Sequence, residues 1–172
     1  MLRTIIALTC VVLEATTVIA QTCEPAVGTK GQADVRLIVQ SLYAGDVDVV
    51  LKYTHPVVIK MQGGQDAARR AVTAAVALMQ KNNMKLESLS FPAEPTCLAG
   101  TNRQFIIVPT LSVIESAGQR FESLNFQLGA AESSDGHWTY VEGSRVNAEN
   151  VQVLFPGFPR NYRFPPIYRK RL

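Results

Sequence analysis

The sequence predicts an α+β domain in which N-terminal helices pack on a curved, mostly antiparallel sheet. Two observations carry this expectation. Apolar residues recur at helical spacing up to about Asn82, and from Met84 onward the period falls to two. Helices first and meandering strands afterwards is the order of an α+β protein, not of an alternating α/β one. A chain of 172 residues with 47% hydrophobic and 18% charged side chains fits one globular domain.

Residues 1–20 read as a signal peptide. Met1-Leu2-Arg3 is a short positive start, Thr4 to Leu13 is an apolar run, and Val18-Ile19-Ala20 offers small residues before a cut. Glu14 is costly in such a run and is placed at its end. The competing reading is a buried N-terminal helix. Lipid attachment at Cys23 is disfavoured because Gln21-Thr22 lacks the small residue that normally precedes a lipidated cysteine. The protein is therefore expected to be exported, periplasmic or secreted. Loss of Cys10 with the leader leaves Cys23 and Cys97, an even number in an oxidising compartment. A bridge is favoured over two free thiols, although spacing alone does not decide between them.

Residues 21–30 are read as an arm. Val35, Ile38, Val39, Leu42 and Tyr43 then mark a helix that Gly45 ends. Asp46 can cap a short second helix, which Pro56 stops by holding His55 extended. Val57-Val58-Ile59 is β-branched and reads as a short strand or buried extended segment. After Gly63-Gly64 a longer helix runs from about Asp66 to Asn82, and its many alanines predict close packing on a flat sheet. Strands are expected at about 84–98, 103–115, 119–131 and 137–143. Phe105, Ile107, Pro109, Leu111 and Val113 share one face of the second, and Ser116–Gln119 and Ser133–Gly136 form turns. The domain spans 21–155, and 156–172 forms a tail rich in proline, aromatic and basic residues. Its prolines exclude a central strand, but its aromatics can cover an edge or a cavity mouth.

Gly45-Asp46, Tyr53-Thr54-His55-Pro56, Gly63-Gly64, Val108-Pro109, Ser134-Asp135-Gly136-His137-Trp138 and Leu154-Phe155-Pro156 occur in an order that resembles an uncharacterised exported bacterial branch of the nuclear transport factor 2-like (cystatin-like cone) superfamily. The resemblance covers residues 35–156. It implies a curved sheet wrapped around the long helix, with a pocket at the open end of the cone.

Chemistry is sparse. His55 and His137 lack ligands at metal-binding spacing, so no metal is expected, and no phosphate loop, nucleophile elbow or dinucleotide fingerprint implies a cofactor. The net charge of +3 is too small to imply nucleic acid. Tyr53 and His55 are the candidate catalytic residues, because a hydroxyl and an imidazole could act as an acid–base pair. Cone-fold isomerases use an Asp base with a Tyr donor, and no inward Asp falls on the strand alternation here. The competing account, in which Tyr53 packs and His55 bonds to backbone, is preferred. Glu94 is read as solvated where the first strand kinks, and Trp138 as an inward core residue.

The expected function is thus an exported module that binds a small apolar ligand or self-associates, without established catalysis. The alternatives are a small isomerase or lyase using Tyr53 and His55, and an envelope-associated interaction protein using the basic tail. Membrane contact is confined to that tail in every reading.

Overall fold

The computed structural model describes residues 21–132 and 137–172. The predicted signal peptide and the Ser133–Gly136 turn lie outside the described residues. The element order is β1 (Gln21–Thr22), α1 (Pro25–Ala44), α2 (Val47–Tyr53), α3 (Pro56–Met61), α4 (Gln65–Lys81), β2 (Lys85–Ser90), β3 (Thr96–Ala99), β4 (Arg103–Ser116), β5 (Gln119–Glu132), β6 (Thr139–Glu142), α5 (Val151–Leu154) and β7 (Tyr168–Arg171). Helices precede a curved, unclosed antiparallel sheet, as the change of period predicts.

At its centre β4 and β5 form one long hairpin, paired from Gln104↔Ala131 to Ser116↔Gln119. Ala117 and Gly118 both take positive φ, 51° and 74°, which matches the twist of a two-residue hairpin turn. The outer edge of β4 is covered by two collinear strands, β2 near the turn and β3 at the far end. The expected single strand over 84–98 is therefore two. Pro92 and Pro95 lie between them, and a proline cannot donate to a ladder. The outer edge of β5 is divided in the same way between β6 and β7.

Two other expectations are corrected. Residues 21–30 are no arm, because β1 pairs with β3 and α1 already begins at Pro25, whose missing N–H costs nothing in a first turn. Val57-Val58-Ile59 lies in α3, not in a strand: Pro56 occupies the first turn of a new helix, and this placement outweighs β-branched propensity. Asp46 caps α2 as expected, accepting from the Val49 N–H at 3.1 Å.

The two faces of the sheet are covered differently. One buries Phe105, Ile107, Phe126 and Leu128 beneath Phe155 and Phe158 of the C-terminal segment. Phe164 stacks on Phe126 with centroids 5.4 Å apart, so residues 156–172 cover the sheet and end as edge strand β7. The other face carries Ile106, Val108, Tyr140 and Trp138 against Val35 of α1. Helix and sheet approach closely there because Gly31 has no side chain: a Cβ on it would lie 2.5 Å from Ile106 Cδ1. Gly129 is equally hemmed in, its missing Cβ falling 2.6 Å from Ile106 Cγ2 and 2.8 Å from the Tyr140 ring.

Cys23 and Cys97 are joined by a disulfide across 74 residues, tying the start of α1 to β3. The loop it closes corresponds to about 4 kcal/mol on the chain-entropy estimate. Protein lacking residues 1–20 is expected to show no alkylatable thiol and to lose several degrees of melting temperature on reduction, or as the Cys23→Ser/Cys97→Ser variant. Gly129→Ala is expected to destabilise by about 1–3 kcal/mol, because neither buried neighbour has room to move. Chemical denaturation measures it, with Gly118→Ala, which meets nothing within 4 Å, as a control for turn strain alone.

Candidate functional site

The α4 stripe does not lie flat on the sheet. Ala68 and Val76 are buried, but Ala71 and Ala75 remain exposed, as does Leu78. Packing instead on the other helices, α4 stands away from β4 and β5 and leaves a cavity of about 410 Å³. This corrects the expectation of close alanine packing. Small side chains permit close approach but do not impose it, and α1 already occupies the part of the sheet where apolar residues face the helices.

The helical side of the cavity is apolar, with Ile38, Val39 and Leu42 of α1, Val50 and Leu51 of α2, and Val72 of α4. The sheet side is mixed: Leu89, Ile114 and Val141 contribute apolar surface, and a polar strip runs along β4 and β5. Register places Thr110 and Ser112 of β4 beside Asn125 and Ser123 of β5, and all four line the cavity with Gln127. Asn125 is already engaged, donating to Glu142 Oε1 at 3.0 Å while its own Oδ1 accepts from the Phe126 N–H at 2.8 Å. Glu142 and Arg145 are the charged side chains on the wall, and Tyr43, Tyr53 and Tyr140 add hydroxyls. Burial raises the Tyr43 pKa against the opposing effect of Arg169.

Of the two candidate catalytic residues, Tyr53 lines this cavity and packs with the cluster that holds Trp138 and Tyr140. His55 does not line it. Its backbone N–H donates to the Tyr140 carbonyl at 2.9 Å, and its Nδ1 accepts from the Val57 N–H at 3.1 Å, which caps α3. The ring meets Phe155 of the opposite core edge-on at 4.7 Å. Tyr53 and His55 therefore point into different cores and form no acid–base pair. Burial first, and Arg103 second, lower the His55 pKa from 6.5 to about 4, so the imidazole is neutral near pH 7. Thr54 also bridges to Tyr140, and the Tyr53–Pro56 corner thereby closes the free edge of β6.

A polar group that strand alternation does not reveal comes from α1. Asp34 is 6% exposed, pairs with Lys30 at 2.8 Å, and accepts from the Tyr140 hydroxyl at 3.2 Å. Burial, then the Asp34 charge, push the Tyr140 pKa well above its ordinary value. With its proton directed at Asp34, Tyr140 anchors α1 to β6. The signal was present in the helical spacing, where Asp34 shares the buried stripe of Gly31, Val35 and Ser41. Trp138 is buried and Glu94 exposed, both as expected. Among the described residues there is no group of three or more His, Cys, Asp or Glu able to hold a metal, and no helix long and apolar enough to cross a membrane.

No protein-family model matches this sequence, and no curated protein or solved structure is detectably similar to it.

His55→Ala removes a cap and an aromatic contact, and is expected to cost at least the 0.5–2 kcal/mol typical of a lost N-cap, or about that order. The depressed pKa adds a pH dependence. The unfolded chain binds a proton below about 6.5 while the folded protein stays neutral to about 4, so this contribution is complete above 6.5 and is lost as pH falls toward 4. Between pH 7 and 5 the wild type should lose about 2 kcal/mol through this residue. His55→Asn, which can cap but does not titrate, should lack that share of the acid sensitivity in urea melts.

Proposed function

We propose that this protein is an exported binding module that holds a small, largely apolar molecule between its helices and its sheet. One observation carries the reading: α4 stands off the sheet and leaves an open cavity walled by aliphatic side chains on the helical side. A concave, mostly apolar site with a few convergent polar groups is the usual form of a small-molecule site. Export is supported by the composition of residues 1–20 together with the Cys23–Cys97 bridge, which suits an oxidising compartment. The order of motifs and the helix-then-curved-sheet architecture support placing the chain in the nuclear transport factor 2-like superfamily.

A binding reading is preferred to an isomerase because His55 is committed to capping α3 and Tyr140 to Asp34. It is preferred to a tail-mediated association because Phe158, Tyr162 and Phe164 pack on the core and Lys170 pairs with Glu122 at 2.8 Å.

The test uses N-phenyl-1-naphthylamine, an uncharged fluorophore that brightens in apolar surroundings. Saturable fluorescence enhancement is expected with the wild type. Val72→Trp, which fills the cavity from α4, should weaken it by more than about tenfold, the effect of losing one well-packed apolar contact region. Unsaturable fluorescence, or equal binding by the filled variant, would refute the reading. In the exporting host, N-terminal sequencing should begin at Gln21.

A further inference from the structure

We propose that the cavity takes a molecule with two unlike faces, one apolar and one bearing hydroxyl or carbonyl groups along its length. This rests on the cavity being a ligand site, as argued above. The cavity's sheet side carries Thr110, Ser112, Ser123 and Gln127, and none of them makes a side-chain hydrogen bond among the described residues. Among the described residues no fully enclosed side-chain polar atom lacks a partner, so the unpaired polar atoms of these four are not sealed from the cavity they line. Hydroxyl and amide groups both donate and accept, and they carry no charge. Glu142 and Arg145 are exposed, and the Glu142 carboxylate already accepts from Asn125. The strip itself therefore carries no charge, and the cation on the cavity wall among the described residues, Arg145, lies outside it.

The shape of the polar surface decides between kinds of amphiphile. Ser123 and Gln127 lie four residues apart on one face of β5, which separates them by about 13 Å. Ser112 is the register partner of Ser123, and Thr110 lies opposite Asn125, so the polar groups form a strip about two strands wide. A molecule with one polar end would satisfy one end of the strip and bury the rest unpaired, which costs free energy at each group. A ligand with polar groups spread along one face satisfies the strip and presents its apolar face to Ile38, Leu42 and Val72.

The experiment is displacement of N-phenyl-1-naphthylamine by a matched pair: methyl cholate, with hydroxyls on one face of its ring system, and methyl cholanate, which lacks them. Dodecanol serves as the amphiphile with one polar end. Methyl cholate is expected to displace the fluorophore at concentrations about tenfold lower than either, the equivalent of one or two net hydrogen bonds. The Thr110→Val/Gln127→Leu variant should lose that preference, read as the ratio of the two displacing concentrations, while still binding the fluorophore saturably. Ser112→Ala/Ser123→Ala asks the same question should the first variant fail to fold. Equal displacement by the matched pair, or a preference that survives in the folded variants, would overturn the two-faced ligand and leave the cavity a general apolar site. No saturable fluorophore binding at all would overturn the ligand-cavity reading, and this proposal with it.

Discussion

The structure depends on the β4–β5 hairpin. Its strands pair along nearly their whole length, so every other strand joins the sheet through one of them or through β3. An isolated hairpin is barely stable in water, and this one acquires stability only by covering both faces. Its edges are each covered by two short strands, with a break between β2 and β3 on one side and between β6 and β7 on the other. A sheet interrupted on both edges can bend about its long central pair, which gives the helices a concave surface.

The two faces of the sheet are filled differently. Beneath the C-terminal segment lies an aromatic core in which Phe105, Phe126 and Phe155 are fully buried, Phe105 meeting Phe155 and Phe158 edge-on and Phe164 stacking on Phe126 and Phe158. On the concave face close packing is confined to one end. Gly31 lets α1 press on Ile106, and the Lys30–Asp34–Tyr140 connection ties the same helix to β6. Beyond Val108 the sheet's inward residues include Thr110, Ser112, Ser123 and Asn125, which gain little from an aliphatic helix face, before Ile114 near the turn. Helix α4 rests on its helical neighbours, and the space below stays open. The change from Ile106 and Val108 to Thr110 and Ser112 along one strand thus marks the boundary between core and cavity.

The Tyr53–Pro56 corner joins these parts. Thr54 forms a β-bridge with Tyr140 of β6, His55 donates its N–H to the Tyr140 carbonyl and caps the helix that Pro56 starts, and its ring reaches the aromatic core. A titratable residue at the end of a helix can resemble catalytic machinery in one dimension. Here its Nδ1 lone pair accepts from the Val57 N–H, and its low pKa follows first from burial and then from Arg103.

Local pattern was sufficient for the change from helices to strands and for the central hairpin. The switch of period at Met84, the glycine stop at Gly45, the Asp46 cap and the Ala117-Gly118 turn all act through neighbours in the chain, and each is visible as residue spacing. The α3 helix was misread because Val57-Val58-Ile59 has strand propensity, while the deciding features were Pro56 at a first turn and the His55 cap. The cavity and the buried Asp34 were beyond local pattern for another reason. An alanine-rich stripe is compatible with a helix pressed on a sheet or standing off it, and Asp34 meets the Tyr140 hydroxyl across 106 positions of sequence. Sequence alone determined the helices α1, α2 and α4, the β4–β5 hairpin and which side chains share a face of each. The tertiary structure decided which of those faces meet and which is left open, because contact between distant segments depends on how all the layers fit together at once.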